Sequence, residues 1–86
     1  MGQQKTFWEI RRTNMAFESY PVSSSNIDTV EYDPDTYVLR IGFKNGGIYE
    51  YEGVLPEVVE EMMSASSQGS YFHRNIRMNY PYTKIK

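Results

Sequence analysis

Cysteine is missing from all 86 residues, which excludes disulfide staples, thiolate nucleophiles and every cysteine-based zinc or iron–sulfur site. Histidine occurs once, as His73, so a multi-histidine metal centre is excluded too, and Asp28, Asp33 and Asp35 lack the spacing of a calcium loop. No cofactor is expected. There is no nucleophile elbow, and Asn45-Gly46-Gly47 has no helix start behind it, which makes it a hairpin loop rather than a phosphate cradle. No apolar run approaches the ~20 residues of a bilayer span, and no apolar signal core follows Met1-Gly2-Gln3-Gln4-Lys5. The expectation is a soluble, cytoplasmic protein without a membrane partner. Gly2 with Thr6 fits a myristoylation pattern and is taken as a chance match.

A mass of 10.1 kDa allows one compact domain, since most domains run to roughly 100 residues or more, and rules out a two-domain enzyme. What the chain does have is aromatic: eight Tyr, four Phe and one Trp make it 15% aromatic, enough for a small core to form by packing alone. Charge is unevenly distributed behind a net value of −2. Residues 1–69 carry all eleven acids against five bases, a balance of −6, whereas residues 70–86 carry Arg74, Arg77, Lys84 and Lys86 with no acid, a balance of +4. Because screening confines exposed charges to about 10 Å of reach, such a segment can bind phosphate on a globally acidic molecule.

Residues 1–21 show neither a strand nor a helix period. Phe7, Trp8 and Ile10 form one apolar cluster and Met15, Ala16, Phe17 and Tyr20 another, closed by Pro21 and the turn-forming Ser23-Ser24-Ser25-Asn26. They are assigned as an N-terminal arm, either a further strand or a wrap on the sheet edge, with the main domain over 22–86. From Ile27 the pattern becomes regular. A strand over about 27–32 ends at Asp33-Pro34-Asp35; alternation of Tyr37, Leu39, Ile41 and Phe43 predicts a strand over about 37–44; and Tyr49 and Tyr51 alternating with Glu50 and Glu52 predict a third over about 48–52. A three-residue loop 45–47 puts Tyr49 opposite Phe43, Tyr51 opposite Ile41 and Glu52 across from Arg40, which buries rings and solvates carboxylates. Pro56 suits the first turn of a helix over about 56–66 whose apolar stripe is Leu55, Val58, Val59, Met62 and Met63. A second helix over about 70–79 stops before Pro81, with Phe72, Ile76 and Tyr80 on one side and Ser70, His73, Arg74 and Arg77 on another. The predicted fold is α+β: a three-stranded antiparallel sheet with two helices on one face.

Glu60 and Glu61 diverge by about 100° around their helix, so they form a solvated face rather than an acid–base pair. The run 69–80 is different. It joins Arg74 and Arg77, whose planar forks suit phosphate, to Tyr71 and Tyr80 as stacking platforms and Asn75 and Asn79 as hydrogen-bonding groups. The competing interpretation is a solvated amphipathic helix whose arginines pair with the glutamates of the helix before it.

Ser24-Ser25-Asn26-Ile27, Val30 with Tyr32-Asp33, Phe43 with Gly47, Tyr49-x-Tyr51, Gly69-x-Tyr71-Phe72, Ile76-Arg77 and Tyr80-Pro81 resemble the KTSC domain over about residues 22–83. That family takes its name from a C-terminal extension of certain lysyl-tRNA synthetases and also occurs as small free-standing bacterial and phage proteins. Two positions depart from the family pattern, Glu31 where glycine is common and Leu55 as an extra residue before Pro56. The resemblance implies a small α+β domain associated with nucleic-acid binding, and it covers Tyr71, Phe72, Ile76, Arg77 and Tyr80. The expected function is therefore a non-enzymatic RNA- or DNA-binding module. Arg74, Arg77 and Lys84 would neutralise phosphates, Tyr71 or Tyr80 would stack, and His73 would assist when protonated. The rival is a protein-interaction module docking through the acidic helix face or the aromatic arm. A nuclease built on His73 is the least supported.

Overall fold

A computed structural model describes residues 17–86. Five strands and two helices follow one another as β1 (Glu18–Tyr20), β2 (Ile27–Asp33), β3 (Val38–Phe43), β4 (Ile48–Tyr51), α1 (Pro56–Ser64), α2 (Gln68–Asn75) and β5 (Tyr82–Lys84). The strands form one antiparallel sheet in the order β1-β2-β3-β4-β5. The sheet thus has five strands, not three. The two additional ones are three-residue edge strands, too short to show a period of two. Of the alternatives for the arm, residues 18–20 take the strand; Phe7, Trp8, Ile10, Met15 and Ala16 lie outside the described residues.

Alternation in the central strands decides which face is covered. Val30, Tyr32, Leu39, Ile41 and Tyr51 point to the helix side and are buried with Ile27, Val54, Val59, Met62, Phe72 and Ile76. On the other face Glu31, Arg40 and Glu50 stand in register across β2, β3 and β4. Arg40 donates through Nε and Nη2 to Glu50 Oε2 at 2.9 and 2.7 Å and reaches Glu31 Oε1 at 3.4 Å, with the Phe17 ring 4.0 Å from its guanidinium carbon. Glu50, not Glu52, is therefore the cross-strand partner of Arg40.

The hairpin has the expected parity but is shifted by two residues: Tyr49 faces Ile41 and Tyr51 faces Leu39. Its three-residue loop is 44–46, closed by Phe43 N–H to Gly47 C=O at 2.8 Å, and Gly46 takes the left-handed position at φ 101°. The turn before β3 has the expected length of four residues but lies one position later, at 34–37. Asp33 Oδ1 accepts from Asp35 N–H at 3.0 Å, and Tyr37 closes the turn at φ 63° instead of starting the strand.

Helix α1 starts with Pro56 at its first turn and buries Val59 and Met62, but Leu55, at the cap position, is 47% exposed. It ends at Ser64, where Ala65 turns extended. Helix α2 starts two residues before the expected position because the Ser67 hydroxyl caps it, accepting from Ser70 N–H at 3.2 Å. It also stops earlier, at Asn75; there Asn75 Nδ2 donates to Tyr71 C=O at 3.1 Å and Asn79 Nδ2 to Asn75 C=O at 2.8 Å. Asn79 thus satisfies a carbonyl left over by the helix end and Asn75 bonds back onto its own helix, which leaves both little freedom as ligand-binding groups. Tyr71 ties the helices together through its hydroxyl, which donates to Glu61 Oε1 at 2.6 Å.

Three outcomes follow from these contacts. Tyr32→Phe removes the bond from the buried hydroxyl to Val54 C=O and should cost about 1–3 kcal/mol in urea unfolding at unchanged m-value. Gly46→Ala must place a side chain in the left-handed region and should cost about 1–2 kcal/mol in the same measurement. The hydrogen bond to Glu61, then burial, push the Tyr71 phenol up to about 12 from its ordinary 10.0. The unfolded chain therefore loses that proton first, so the stability this contact contributes is complete below pH 10 and falls between pH 10 and 12. Thermal midpoints recorded from pH 8 upwards should decline less steeply through that window for Tyr71→Phe than for the parent protein.

Candidate nucleic-acid interface

The start of α2 is anchored to the segment before β2. Ser23 N–H donates to Gln68 Oε1 at 2.9 Å, and Ser24 Oγ accepts from Asn26 and Ile27 N–H, each at 3.1 Å. Phe72 then enters the core edge-on, its ring centroid 5.6 Å from that of Phe43 and 5.2 Å from that of Tyr51. With Phe72 and Ile76 turned inward, the helical period carries His73 and Arg74 to the solvent side, and Arg77 follows in the turn after Asn75.

A cavity of about 830 Å³ opens between the 23–26 segment, α2 and the helix side of β4 and β5. His73, Arg74 and Arg77 line one side of it; Phe43, Tyr49, Tyr51 and Tyr82 form an aromatic wall. The wall is continuous: Tyr82 lies 5.7 Å from Tyr49 and 5.6 Å from Tyr51, and Tyr49 lies 5.7 Å from Phe43, centroid to centroid. Tyr82 is the most open of these rings, at 57% exposure. Burial raises the Tyr51 phenol above its ordinary value, with the Arg77 charge acting in the opposite direction.

Neither Arg74 nor Arg77 meets a carboxylate among the described residues, where the ion pairs are those of Arg40. Arg77 instead places Nη1 3.1 Å from Nδ1 and 3.3 Å from Nε2 of His73. Because a guanidinium can only donate, the ring nitrogen it meets is an acceptor. A smaller cavity of about 380 Å³ adjoins the first one, sharing Asn45 and Tyr49, and is lined by Lys84 and Lys86. Lys84 pairs with Tyr49 across the β4–β5 ladder, with its Nζ 5.9 Å from the Tyr49 ring centroid.

Of the residues proposed from sequence, His73, Arg74 and Arg77 thus come together on one rim, and Lys84 lies beyond Tyr49. Tyr71 and Tyr80 do not line the cavity: Tyr71 is held by Glu61, and Tyr80 is half-buried against the core. Sequence reasoning missed Tyr49 and Tyr82 as cavity residues. The alternation of Tyr49 places it in the core, and Tyr82 falls beyond the last predicted element, in a stretch that mixes aromatics with lysines and so carries a signal of its own. No group of three His, Asp or Glu side chains among the described residues is placed to hold a metal ion, and no described helix is long and apolar enough to cross a membrane.

The model of the KTSC domain matches residues 23–80. A protein from Stutzerimonas stutzeri is 35% identical over 65 residues, 74% of this chain and 92% of that one. A lysine–tRNA ligase from a Nostoc species is 36% identical over 74 residues, which are 86% of this chain but 13% of the ligase. The crystal structure of a KTSC domain protein from Yersinia pestis superposes with a TM-score of 0.77 at 39% identity, covering 83% of this chain and all of that one. In sequence and in fold, the chain belongs to the KTSC domain family.

Proposed function

We propose that the protein is a non-enzymatic nucleic-acid-binding module whose contact surface is the rim and wall of the larger cavity. The observation that carries this reading is the pair Arg74 and Arg77, both exposed, neither matched by a carboxylate among the described residues, and both beside a continuous row of rings. Two unneutralised guanidinium groups next to aromatic faces suit a polymer that alternates phosphates with flat bases. Lys84 extends the same surface past Tyr49, while His73, as the acceptor for Arg77, orients that guanidinium on the rim. The similarity to a segment of lysine–tRNA ligases, enzymes named for a tRNA substrate, agrees with such a partner.

Titration of RNA and DNA oligonucleotides at two salt concentrations tests the proposal. Affinity should fall as salt rises, and the double variant Arg74→Ala/Arg77→Ala should flatten the plot of log K against log salt by about 1.4, two contacts at about 0.7 each for a single strand. A slope that the double variant leaves unchanged would remove these arginines from the site. Absence of binding at low salt would favour the protein-interaction module instead, with the exposed Glu57, Glu60 and Glu61 of α1 as its docking face.

A further inference from the structure

The two cavities share a ring, and that arrangement carries information about the form of the ligand. Resting on the nucleic-acid reading above, we propose that the ligand is a single strand, with an unpaired base in the larger cavity against Tyr82 and Tyr49 and the flanking phosphates on the two basic groups to either side. Those groups are Arg74 with Arg77 on the α2 rim and Lys84 with Lys86 beyond Tyr49. Every base in a strand lies between two phosphates, and here an aromatic wall lies between two basic clusters.

Shape excludes the alternative. A duplex presents phosphates on its outside and keeps its base faces stacked, so it can satisfy the arginines but cannot bring a base face to Tyr82, which sits in a recess closed on one side by α2 and on another by the 23–26 segment. A volume of about 830 Å³ is in the range of small-molecule sites, roughly 300–1,000 Å³, and so can take one nucleotide. The recess is also equipped for a base edge. Ser24 and Ser67 spend their oxygens on backbone N–H groups, but the side chains of Ser25, Asn26 and Ser66 on the same wall make no hydrogen bond among the described residues. The exposed face of Tyr82 is the principal stacking surface; Tyr51 and Phe72 are buried and serve as its backing.

The test uses the full chain and four labelled eight-nucleotide probes in fluorescence anisotropy: a ribo-strand, a deoxyribo-strand, the deoxyribo-strand annealed to its complement, and a deoxyribo-strand of abasic sites. The better of the two intact strands should bind at least about tenfold more tightly than the duplex and than the abasic strand, as expected when base stacking is lost. Which of the two it is identifies RNA or DNA as the source. Tyr82→Ala should bring intact-strand binding down to the abasic level while leaving duplex binding unchanged, and Tyr82→Phe should retain it. The abasic comparison stands even if Tyr82→Ala loosens β5. Equal binding of all probes with a salt slope that still depends on Arg74 and Arg77 would overturn the base-insertion proposal and leave the nucleic-acid reading intact. No binding of any probe at low salt would overturn both.

Discussion

Phe72 held edge-on between Phe43 and Tyr51 is the contact on which the rest of the molecule depends. Rings meeting edge to face gain about 0.5–1.5 kcal/mol beyond the area they bury, and this geometry fixes rotation as well as distance. Once Phe72 is seated, with Ile76 one turn later, the azimuth of α2 is determined. His73 and Arg74 have no direction left but outward, and the turn after Asn75 brings Arg77 alongside them. The cavity is a result of the same constraint, because α2 is held against Phe43 and Tyr51 while β5 continues the sheet past them.

The two faces of the sheet treat charge differently. On the face away from the helices, Arg40 is positioned by register between Glu31 and Glu50, so one cation meets two carboxylates on the pleat of three adjacent strands. Pairs this exposed stabilise the fold by at most about 1 kcal/mol each, and their larger effect is to occupy the charge. Glu31 belongs to this set, so its negative charge lies on the face opposite the cavity.

Much of the fold was legible because period and parity are strong signals. The three central strands, the two helices and the inward Phe72 and Ile76 follow from alternation and from spacing alone. Parity, however, cannot distinguish registers that differ by two residues, since both turn the tyrosines toward the helices and Glu50 away from them. The choice between loops 44–46 and 45–47 rests on which of two adjacent glycines takes the left-handed position, and Asn45-Gly46-Gly47 offers both. Of the edge strands, β1 is one of two alternatives the sequence leaves open and β5 escapes it, for a different reason. Three residues do not make a period, and Tyr82-Thr83-Lys84 pairs because β4 presents it with a free edge, which is a property of the assembled sheet. The cationic half of the candidate site was visible as a run without acids. The aromatic half was not, because Tyr49 and Tyr82 lie 33 positions apart in sequence and only strand pairing makes them neighbours.

The polarity of the molecule governs how a polyanion can approach it. Glu57, Glu60 and Glu61 are exposed on α1, whereas the cavity rim and the end of β5 carry Arg74, Arg77, Lys84 and Lys86. At physiological ionic strength a charge is felt over about 8 Å, so each patch acts locally and the overall −2 has little bearing on either. A phosphate chain is repelled at α1 and attracted at the cavity, and the sum over approach directions is an orienting field rather than a general attraction. A strongly basic protein of this size would hold nucleic acid in many orientations and sequester it. Acid on one helix and arginines without a carboxylate partner on the next restrict the orientations open to such a chain, which is what the proposed seating of a base against Tyr82 would require.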